Sequence, residues 1–320
     1  MKDYDAIVIG AGNGGLTAAV TLQKGGARTL LLEKHNIPGG CATSFVRGNF
    51  EFEVALHQLS GLGTEKQPFI MRQIFNQLGV MDKVQFTQES HLYRMVVKDG
   101  INDFDITLPA DWDGLKKTLC DWVPDEEQAI KKFMILCEKI CVEAFMNVPE
   151  ARKQFSEELL KKKAGNFIQY GLRPAKDVLD EFFQSKPLKT VLAAYWCYLG
   201  LPPSQMAFSD LAIMLFSYGI FKPWHIKGGS QALSSALLES FLEAGGEVRF
   251  NCAVDKILTY KSDSQLNSKP QVKAVRTEHG DEISCSQVIS NASSVLTYTE
   301  LLDTPSMPND VQEDFKSREI

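Results

Sequence analysis

The fold of this chain is decided near its start, by Asp5-Ala-Ile-Val-Ile-Gly-Ala-Gly-Asn-Gly-Gly-Leu-Thr17 followed by Ala27-Arg-Thr-Leu-Leu-Leu-Glu33. Residues 6–9 are apolar and β-rich, as a parallel strand buried on both faces requires. Residues 16–23 have apolar side chains at helical spacing, and residues 29–32 read as a second buried strand. This order of strand, helix and strand predicts a Rossmann-like βαβ unit.

Glycines join the first strand to the helix. Gly10, Gly12 and Gly15 occupy the three glycine positions of the motif G-x-G-x-x-G. In that motif the first glycine makes a tight turn, the second lets the backbone approach a pyrophosphate, and the third allows close packing of helix on strand. The start of the helix, with Asn13 and Gly14, offers free N–H groups to phosphates. We therefore predict a dinucleotide site here.

An acid ends the second strand. Glu33 follows Gly15 by 18 positions, close to the spacing of about 20 at which a carboxylate binds the ribose hydroxyls of a dinucleotide. The motif by itself allows NAD or FAD, and the alternative is a βαβ unit that binds no ligand.

Composition limits the class of protein. With 320 residues, 44% hydrophobic and 23% charged, the chain is long enough for two structural domains. A net charge of -6 without a basic stripe argues against nucleic acid as a partner. Seven cysteines without a repeated spacing fit a reducing compartment, and residues 1–5 contain no signal segment, so we expect a cytoplasmic protein. No metal site is predicted, since Cys137 and Cys141 have no further ligand at metal spacing and favour core packing.

The segment after Glu33 contains Lys34 and the turn Pro38-Gly-Gly-Cys41. Consecutive glycines let the chain pass tightly beside a bound group. Residues 45–57 predict a hairpin that turns at 47–49. Its strand at 50–55 alternates aromatic and acidic residues, which is typical of a half-buried strand.

These blocks together resemble the family of FAD-dependent phytoene desaturases, carotenoid isomerases and retinol saturases. The resemblance is carried, in chain order, by Val8-Ile-Gly-Ala-Gly-x-x-Gly-Leu16, Glu33-Lys34, Pro38-Gly-Gly-Cys41, Phe50-x-Phe-Glu53, Gly228-Gly-Ser-Gln-Ala-Leu233 and Val288-Ile-Ser-Asn-Ala292. The ordered set is more specific than the first motif, which many flavoproteins share.

The resemblance implies an α/β protein with a Rossmann-like FAD-binding domain of the GR2 type and an inserted, mainly helical α+β substrate domain. On this scheme residues 1–63 and 223–295 form the FAD-binding domain, 64–222 the inserted domain, and 296–320 the start of a truncated C-terminal region. The predicted FAD-binding residues are Gly10, Gly12, Asn13, Gly14, Gly15, Glu33, Lys34, Gly39, Gly40, Cys41, Val254 and Asn291.

The predicted inserted domain contains a nearly uncharged stretch. Residues 190–209 and 211–221 have no charged side chain, and two prolines at 202–203 interrupt them. A membrane span needs about 20 residues of continuous helix, so we predict two buried or pocket-lining helices. Peripheral membrane contact is the alternative.

The second part of the predicted FAD-binding domain has a helix at 230–244, strands at 247–250 and 254–260, a polar loop at 261–269 and a hairpin at 272–289. The chain then ends in a Pro-rich, acidic segment. Family members are longer, so the resemblance implies a fragment.

The resemblance implies desaturation, saturation or isomerisation of C–C or C=C bonds in an extended apolar substrate such as a carotenoid, a retinoid or another lipid, with NAD(P)H as a candidate electron partner. His57 is a weak candidate acid, base or flavin contact, and a structural histidine is the alternative. Two further alternatives are an amine or amino-acid oxidase, against which Cys41 in place of the usual Arg weighs, and a truncated, non-catalytic flavin-binding protein. The family's aromatic-Asp-x-Gly element is here Phe52-Glu-Val-Ala55.

Overall fold

A computed structural model describes residues 3–54, 57–101, 103–260, 270–302 and 313. The predicted polar loop at 261–269 and most of the segment after residue 302 lie outside the described residues. The chain forms two compact units. The first comprises Met1–His57, Arg72–Phe86 and Ile226–Ile320, and the second comprises Gln58–Met71 and Thr87–His225.

The strands are β1 Tyr4–Ile9, β2 Thr29–Leu32, β3 Ser44–Arg47, β4 Phe50–Glu53, β5 Leu59–Ser60, β6 Phe86–Gln88, β7 His91–Val97, β8 Phe104–Pro109, β9 Pro223–Ile226, β10 Glu247–Arg249, β11 Val254–Tyr260, β12 Gln271–Thr277 and β13 Glu282–Ser290. The α-helices are α1 Asn13–Lys24, α2 Ile70–Leu78, α3 Trp112–Trp122, α4 Glu127–Val142, α5 Val148–Lys153, α6 Glu157–Lys163, α7 Ala175–Phe182, α8 Lys186–Ala193, α9 Trp196–Leu199, α10 Phe208–Phe221, α11 Gly229–Glu243 and α12 Ser294–Leu296.

A six-stranded sheet forms the first unit, in the order β10-β2-β1-β13-β12-β11. The first four of these strands are parallel, and β12 and β11 add an antiparallel edge. All four residues of β2 and the last four of β1 are buried, which is why both strands read as continuous apolar runs. The predicted Rossmann-like strands and the late hairpin therefore belong to one sheet.

Helices α1 and α11 pack against each other in the first unit. Leu16, Ala19 and Val20 of α1 and Leu233, Leu237 and Phe241 of α11 are buried, so each helix gives one apolar face to the core. Buried side chains of the sheet, among them Ile7, Leu30 and Ile257, form an apolar cluster with Cys252 and Leu301.

The second unit has a larger apolar core. Its helices surround Phe133, which is fully buried and contacts Phe182, Phe183 and Phe208 at ring-centroid distances of 5.2 to 5.7 Å. Strands β7 and β8 of this unit form an antiparallel hairpin. Cys137 and Cys141 are buried, and Cys137 belongs to this core, as the core-packing prediction had it.

Two predictions need correction here. Residues 72–86 group with the first unit, whereas the predicted domain boundaries place them in an inserted domain at 64–222. The reason is packing against α11: the Ser240 hydroxyl donates to the carbonyl of Leu78, and Lys83 forms ion pairs with Glu239 and Glu243 of the same helix. The first of the two helices predicted in the uncharged stretch is instead the end of α8 and the short α9, which a turn at 194–195 separates; Gly200, in a left-handed conformation, ends α9, and the second predicted helix is α10.

No helix within the described ranges is long and apolar enough to cross a bilayer. No disulfide bond is formed by the seven cysteines, all of which lie within the described residues.

Candidate cofactor site

A cavity of about 680 Å³ lies where the parallel strands β1, β2 and β13 end, within the first unit. Ligands of open α/β sheets bind at this edge, and the volume falls in the range of roughly 300–1,000 Å³ of small-molecule sites. It is lined by Ile9, Gly10, Gly12, Asn13, Gly14, Leu32, Glu33, Lys34, Gly39, Gly40, Cys41, Ala42, Cys252, Ala253, Val254, Asn291, Ala292, Ser293, Leu296 and Leu301. Eleven of the twelve predicted FAD-binding residues are in this set, and Gly15 lies outside it.

The first glycine loop has the geometry that its motif predicts. Gly10 adopts a φ of 93°, which favours glycine. A Cβ atom on Gly15 would lie 1.9 Å from the carbonyl oxygen of Gly10, so this residue sets the close approach of α1 to β1. Helix α1 begins at Asn13 without a side-chain cap and without an acid in its first turn. Its positive end is therefore available to an anionic group.

Asn291 covers this loop from the end of β13. Its backbone N–H donates to the carbonyl of Ile9 at 2.8 Å. A Cβ atom on Gly12 or Gly14 would lie 2.8 or 2.7 Å from an atom of the Asn291 side-chain amide. Gly12 and Gly14 thus leave room for the Asn291 amide as well as for a ligand. The sequence motif gives no indication of this contact with Asn291.

Glu33 ends β2 and is 7% exposed. Its Oε2 accepts a hydrogen bond from the N–H of Ala11 at 2.6 Å, and its Oε1 accepts one from the N–H of His35 at 2.8 Å. A carboxylate has about four acceptor sites, so two bonds leave capacity for ribose hydroxyls. The same carboxylate therefore joins the glycine loop, at Ala11, to the segment that follows β2, at His35.

The segment with two glycines packs directly on the first loop. The N–H of Gly39 donates to the carbonyl of Ala11 at 2.7 Å, and Gly39 pairs with Gly12 in a parallel bridge. Gly39 and Gly40 have φ of 122° and 61°. A Cβ on Gly40 would lie 3.3 Å from the Cα of Gly12. The predicted tight passage at 38–41 is thus a contact between two backbones.

The hairpin β3–β4 forms as predicted, with Arg47 paired to Phe50. The prediction that its second strand buries its aromatic side chains is wrong. Phe50 and Phe52 are 72% and 43% exposed, and Phe52 stacks on the equally exposed Phe45 with 5.1 Å between centroids. Glu53 instead turns toward α11, where it accepts hydrogen bonds from the N–H of Ser230 at 2.9 Å and from the hydroxyls of Ser44 and Ser230.

This arrangement shifts the ionisation of Glu53. Burial raises its pKa, but the hydrogen bonds from Ser230 and Ser44 outweigh burial and hold the pKa of the carboxyl below its ordinary value. The carboxylate also lies at the positive end of a 15-residue helix that lacks a side-chain cap of its own. The longer acid, which departs from the family's Asp, is therefore a cap supplied by a neighbouring segment.

The remaining predicted residues divide into two groups. Lys34, Cys41 and Val254 line the cavity, and Cys41 is exposed. His57 does not line it. Residues 252 and 253, which sequence reasoning did not include, are held beside β2 by the bond from the N–H of Cys252 to the carbonyl of Glu33 at 2.9 Å. Leu296 and Leu301 were also missed, because no motif marks an apolar residue that returns to a cavity from almost 300 positions away.

A separate cavity of about 340 Å³ lies inside the second unit. Tyr93, Tyr195 and Tyr198 line it, with ring centroids 5.2 and 5.4 Å apart around Tyr195. The Tyr93 hydroxyl donates to the carbonyl of Val191 at 2.6 Å, and burial raises the pKa of Tyr93. The hydroxyl is thus already bonded to protein, and the three tyrosines share the cavity lining with aliphatic and sulfur-containing side chains and with Arg94.

The sheet, the glycine loops and the acid at the end of β2 are together typical of a dinucleotide-binding fold. Comparison with protein families specifies the class: residues 14–319 match the family described as flavin containing amine oxidoreductase. The chain belongs to this family. The predicted relation to flavin-dependent oxidoreductases is confirmed.

Individual proteins agree with the resemblance seen in the sequence. The chain is 28% identical to the all-trans-retinol 13,14-reductase of Danio rerio, over 97% of this chain and 50% of the relative. It is 25% identical to the chloroplastic prolycopene isomerase 1 of an Oncidium hybrid cultivar, over 98% and 52%. The chain thus spans about half the length of these curated relatives.

The fold is shared with solved structures. An oxidoreductase from Methanosarcina mazei superposes with a TM-score of 0.68 at 18% identity, over 98% of this chain and 64% of that protein. At this identity the similarity concerns the fold alone, and it agrees with the mixed, largely parallel sheet of the first unit.

Proposed function

We propose that the first unit binds FAD and that the protein to which this chain corresponds oxidises, reduces or isomerises carbon–carbon bonds of an extended apolar substrate. Carotenoids, retinoids and other polyene lipids are the substrate class. The observation that carries the proposal is the glycine-lined cavity at the ends of β1, β2 and β13, together with the names of the relatives, a retinol reductase and a prolycopene isomerase.

The residues of the cavity fit FAD. The uncapped start of α1 suits a pyrophosphate, since its N–H groups and its dipole both favour an anion. Glu33 keeps acceptor capacity for ribose hydroxyls, and the backbone at Val254 is assigned to the adenine side. The glycines Gly39 and Gly40 present backbone without a side chain to the same space. The site residues predicted from sequence are therefore proposed as the FAD contacts.

FAD, when bound, supplies electron and hydride transfer that protein side chains cannot provide. The chain's own part is to bind, to orient the substrate and to keep water away. We assign substrate binding to the second unit, whose cavity offers the rings of Tyr93, Tyr195 and Tyr198, together with several aliphatic side chains, to an apolar ligand. NAD(P)H remains the proposed electron partner, and His57 remains a weak catalytic candidate.

The cofactor is tested first. Purified protein is incubated with FAD, and binding is followed by quenching of flavin fluorescence. We expect saturable binding by the wild type and none by Gly12→Val, because the added side chain occupies the place of the Asn291 amide and of the pyrophosphate. The control is Glu282→Ala, because Glu282 is exposed and does not line the cavity. Equal FAD binding by the wild type, Gly12→Val and Glu282→Ala would overturn the site.

The substrate is tested on the longest available gene product. All-trans-retinol, prolycopene and a diamine are offered anaerobically with NADPH as reductant and, without reductant, in air, and products are separated by chromatography. Conversion of a polyene supports the proposal. Peroxide release with the amine, and no change in either polyene, would favour the amine oxidase alternative. FAD binding without any turnover would favour the non-catalytic alternative.

We also propose a cytoplasmic protein with peripheral membrane contact through the segment around α9. Trp196, Leu199 and Leu201 there are 36 to 46% exposed, and apolar side chains of this kind insert into the headgroup region of a bilayer. Flotation with phosphatidylcholine vesicles tests the contact. The variant Trp196→Ser with Leu201→Ser should lose flotation, and unchanged flotation would remove this assignment.

A further inference from the structure

Helix α11 presents three fully or almost fully buried serines to the first unit. Ser230 and Ser234 are 0% exposed, and Ser240 is 2% exposed. Each hydroxyl bonds to a different segment. Ser230 donates to Glu53 of the hairpin, Ser234 contacts the glycine segments of the cavity, and Ser240 donates to the carbonyl of Leu78 at the end of α2. A buried hydroxyl is costly without a partner, so these bonds fix where each segment lies.

Ser234 is the one whose partners belong to the cavity itself. Its Oγ donates to the carbonyl of Ala42 at 2.8 Å and lies 3.1 Å from Oδ1 of Asn13. Ala42 and Asn13 both line the cavity, one on each glycine segment. A Cβ on Gly39 would lie 3.0 Å from the same Oγ. The hydroxyl therefore stands at the point where the two segments meet α11.

The hydrogen-bonding capacity of a hydroxyl sharpens this arrangement. Ser234 has one hydrogen and two lone pairs, while the Ala42 carbonyl can only accept. The hydrogen therefore goes to Ala42. The contact between Ser234 and Asn13 is then a hydrogen bond only if the Asn13 NH₂ group donates to the Ser234 oxygen. A 180° rotation of the Asn13 amide, which exchanges its oxygen and nitrogen, gives this orientation. Ser234 then accepts from one segment and donates to the other.

We propose that Ser234 is a positioning residue for FAD. By joining Asn13 to Ala42, its hydroxyl sets the separation of the two glycine segments and orients the amide at the start of α1, so that the cavity is already shaped before the cofactor enters. Gln231 supports the same segment one turn earlier, since its Nε2 donates to the carbonyl of Pro38 at 3.1 Å. The inference rests on the proposed FAD site and goes beyond it, because Ser234 does not line the cavity.

The chain offers a matched control. Ser240→Ala removes an equally buried hydroxyl and its hydrogen bond from the same helix, but its partner is Leu78, outside the cavity. Both variants should lose similar stability. We expect Ser234→Ala to raise the Kd for FAD by about five- to tenfold, the loss that one hydrogen bond commonly carries. Ser240→Ala should change it less than twofold.

The measurement is a titration with FAD, followed by flavin fluorescence and by the visible circular dichroism of the bound flavin, with the melting temperature of each apo-protein recorded in parallel. Ser234→Cys, which keeps a small side chain and a weak donor, should restore part of the affinity. If Ser234→Ala does not fold, Ser234→Cys is compared directly with the wild type and with Ser240→Ala, and it should raise Kd by a smaller factor. The proposal is overturned if the Ser234 and Ser240 variants bind FAD equally well. Failure of the wild type to bind FAD would instead refute the proposed cofactor site.

Discussion

Different kinds of interaction stabilise the interior of each of the two units. Around the cavity of the first unit, backbone groups and a few polar side chains make the decisive contacts, as in the bonds of Glu33 to Ala11 and His35. In the core of the second unit, apolar rings make them, as around Phe133. The first arrangement tolerates few residue types at each position, because a Cβ atom or a missing acceptor breaks it. The second tolerates many apolar combinations of similar volume.

The sharpest contrast between the units concerns one glycine in each. Gly15→Val should abolish folding of the first unit, because its Cβ would lie 1.9 Å from the Gly10 carbonyl oxygen, a backbone atom that cannot move aside. In the second unit, Gly165 has no atom within 4 Å of an added Cβ, so Gly165→Ala should leave stability unchanged or slightly higher. Circular dichroism and gel filtration measure both. A folded Gly15→Val protein would contradict the close packing of α1 on β1.

The next prediction tests whether the second unit can be weakened without loss of the cofactor. Phe133→Ala should lower the free energy of unfolding by about 3–5 kcal/mol, since it leaves a cavity among three other rings. FAD affinity should stay within twofold at temperatures where the variant is folded. Ile135→Ala on the same helix is the control, because its side chain is 52% exposed. Chemical denaturation measures the loss of stability, and FAD titration measures the affinity. A loss of FAD affinity in Phe133→Ala would show that the core of the second unit contributes to cofactor binding.

Glu33 should show the opposite behaviour. Glu33→Ala removes a charged acceptor of the proposed ribose contacts, so FAD binding should weaken by roughly 1.5–3 kcal/mol. The apo-protein should lose stability too, because the N–H groups of Ala11 and His35 lose their partner. The exposed acid Glu282 provides the control variant Glu282→Ala. Calorimetric titration with FAD is the measurement, and normal affinity in Glu33→Ala would exclude a cofactor contact at this carboxylate.

The smallest expected effect is the pH dependence of the cap at α11. The pKa of Glu53 in the folded protein lies below its ordinary value of 4.5. Its stabilising contribution is therefore fully present above about pH 4.5 and is lost as the pH falls through the folded-state pKa. The difference in melting temperature between wild type and Glu53→Gln should be constant from pH 7 to 5 and shrink below that. A difference that does not change with pH would show that ionisation of Glu53 is not what stabilises the hairpin.

Much of the first unit could be predicted because its geometry demands particular residues. Only glycine suits the φ of Gly10 and the contact at Gly15, and parallel strands covered on both faces need uninterrupted apolar runs. Those demands leave patterns that can be read in order along the chain. The second unit leaves weaker patterns: the uncharged run at 211–221 indicated a buried helix, which is α10, but the short α9 could not be recognised.

The sequence by itself determined the βαβ unit, the glycine loops, the acid at the end of β2 and the relation to flavin-dependent oxidoreductases. Only the tertiary structure decided that Glu53 faces inward while its aromatic neighbours are exposed, that residues 72–86 pack with the first unit, and that Ser234 joins two glycine segments. The physical reason is range. A turn or a buried strand constrains residues within a few positions, whereas a hydroxyl or carboxylate finds a partner across 177 or 192 positions, and no local pattern records which one.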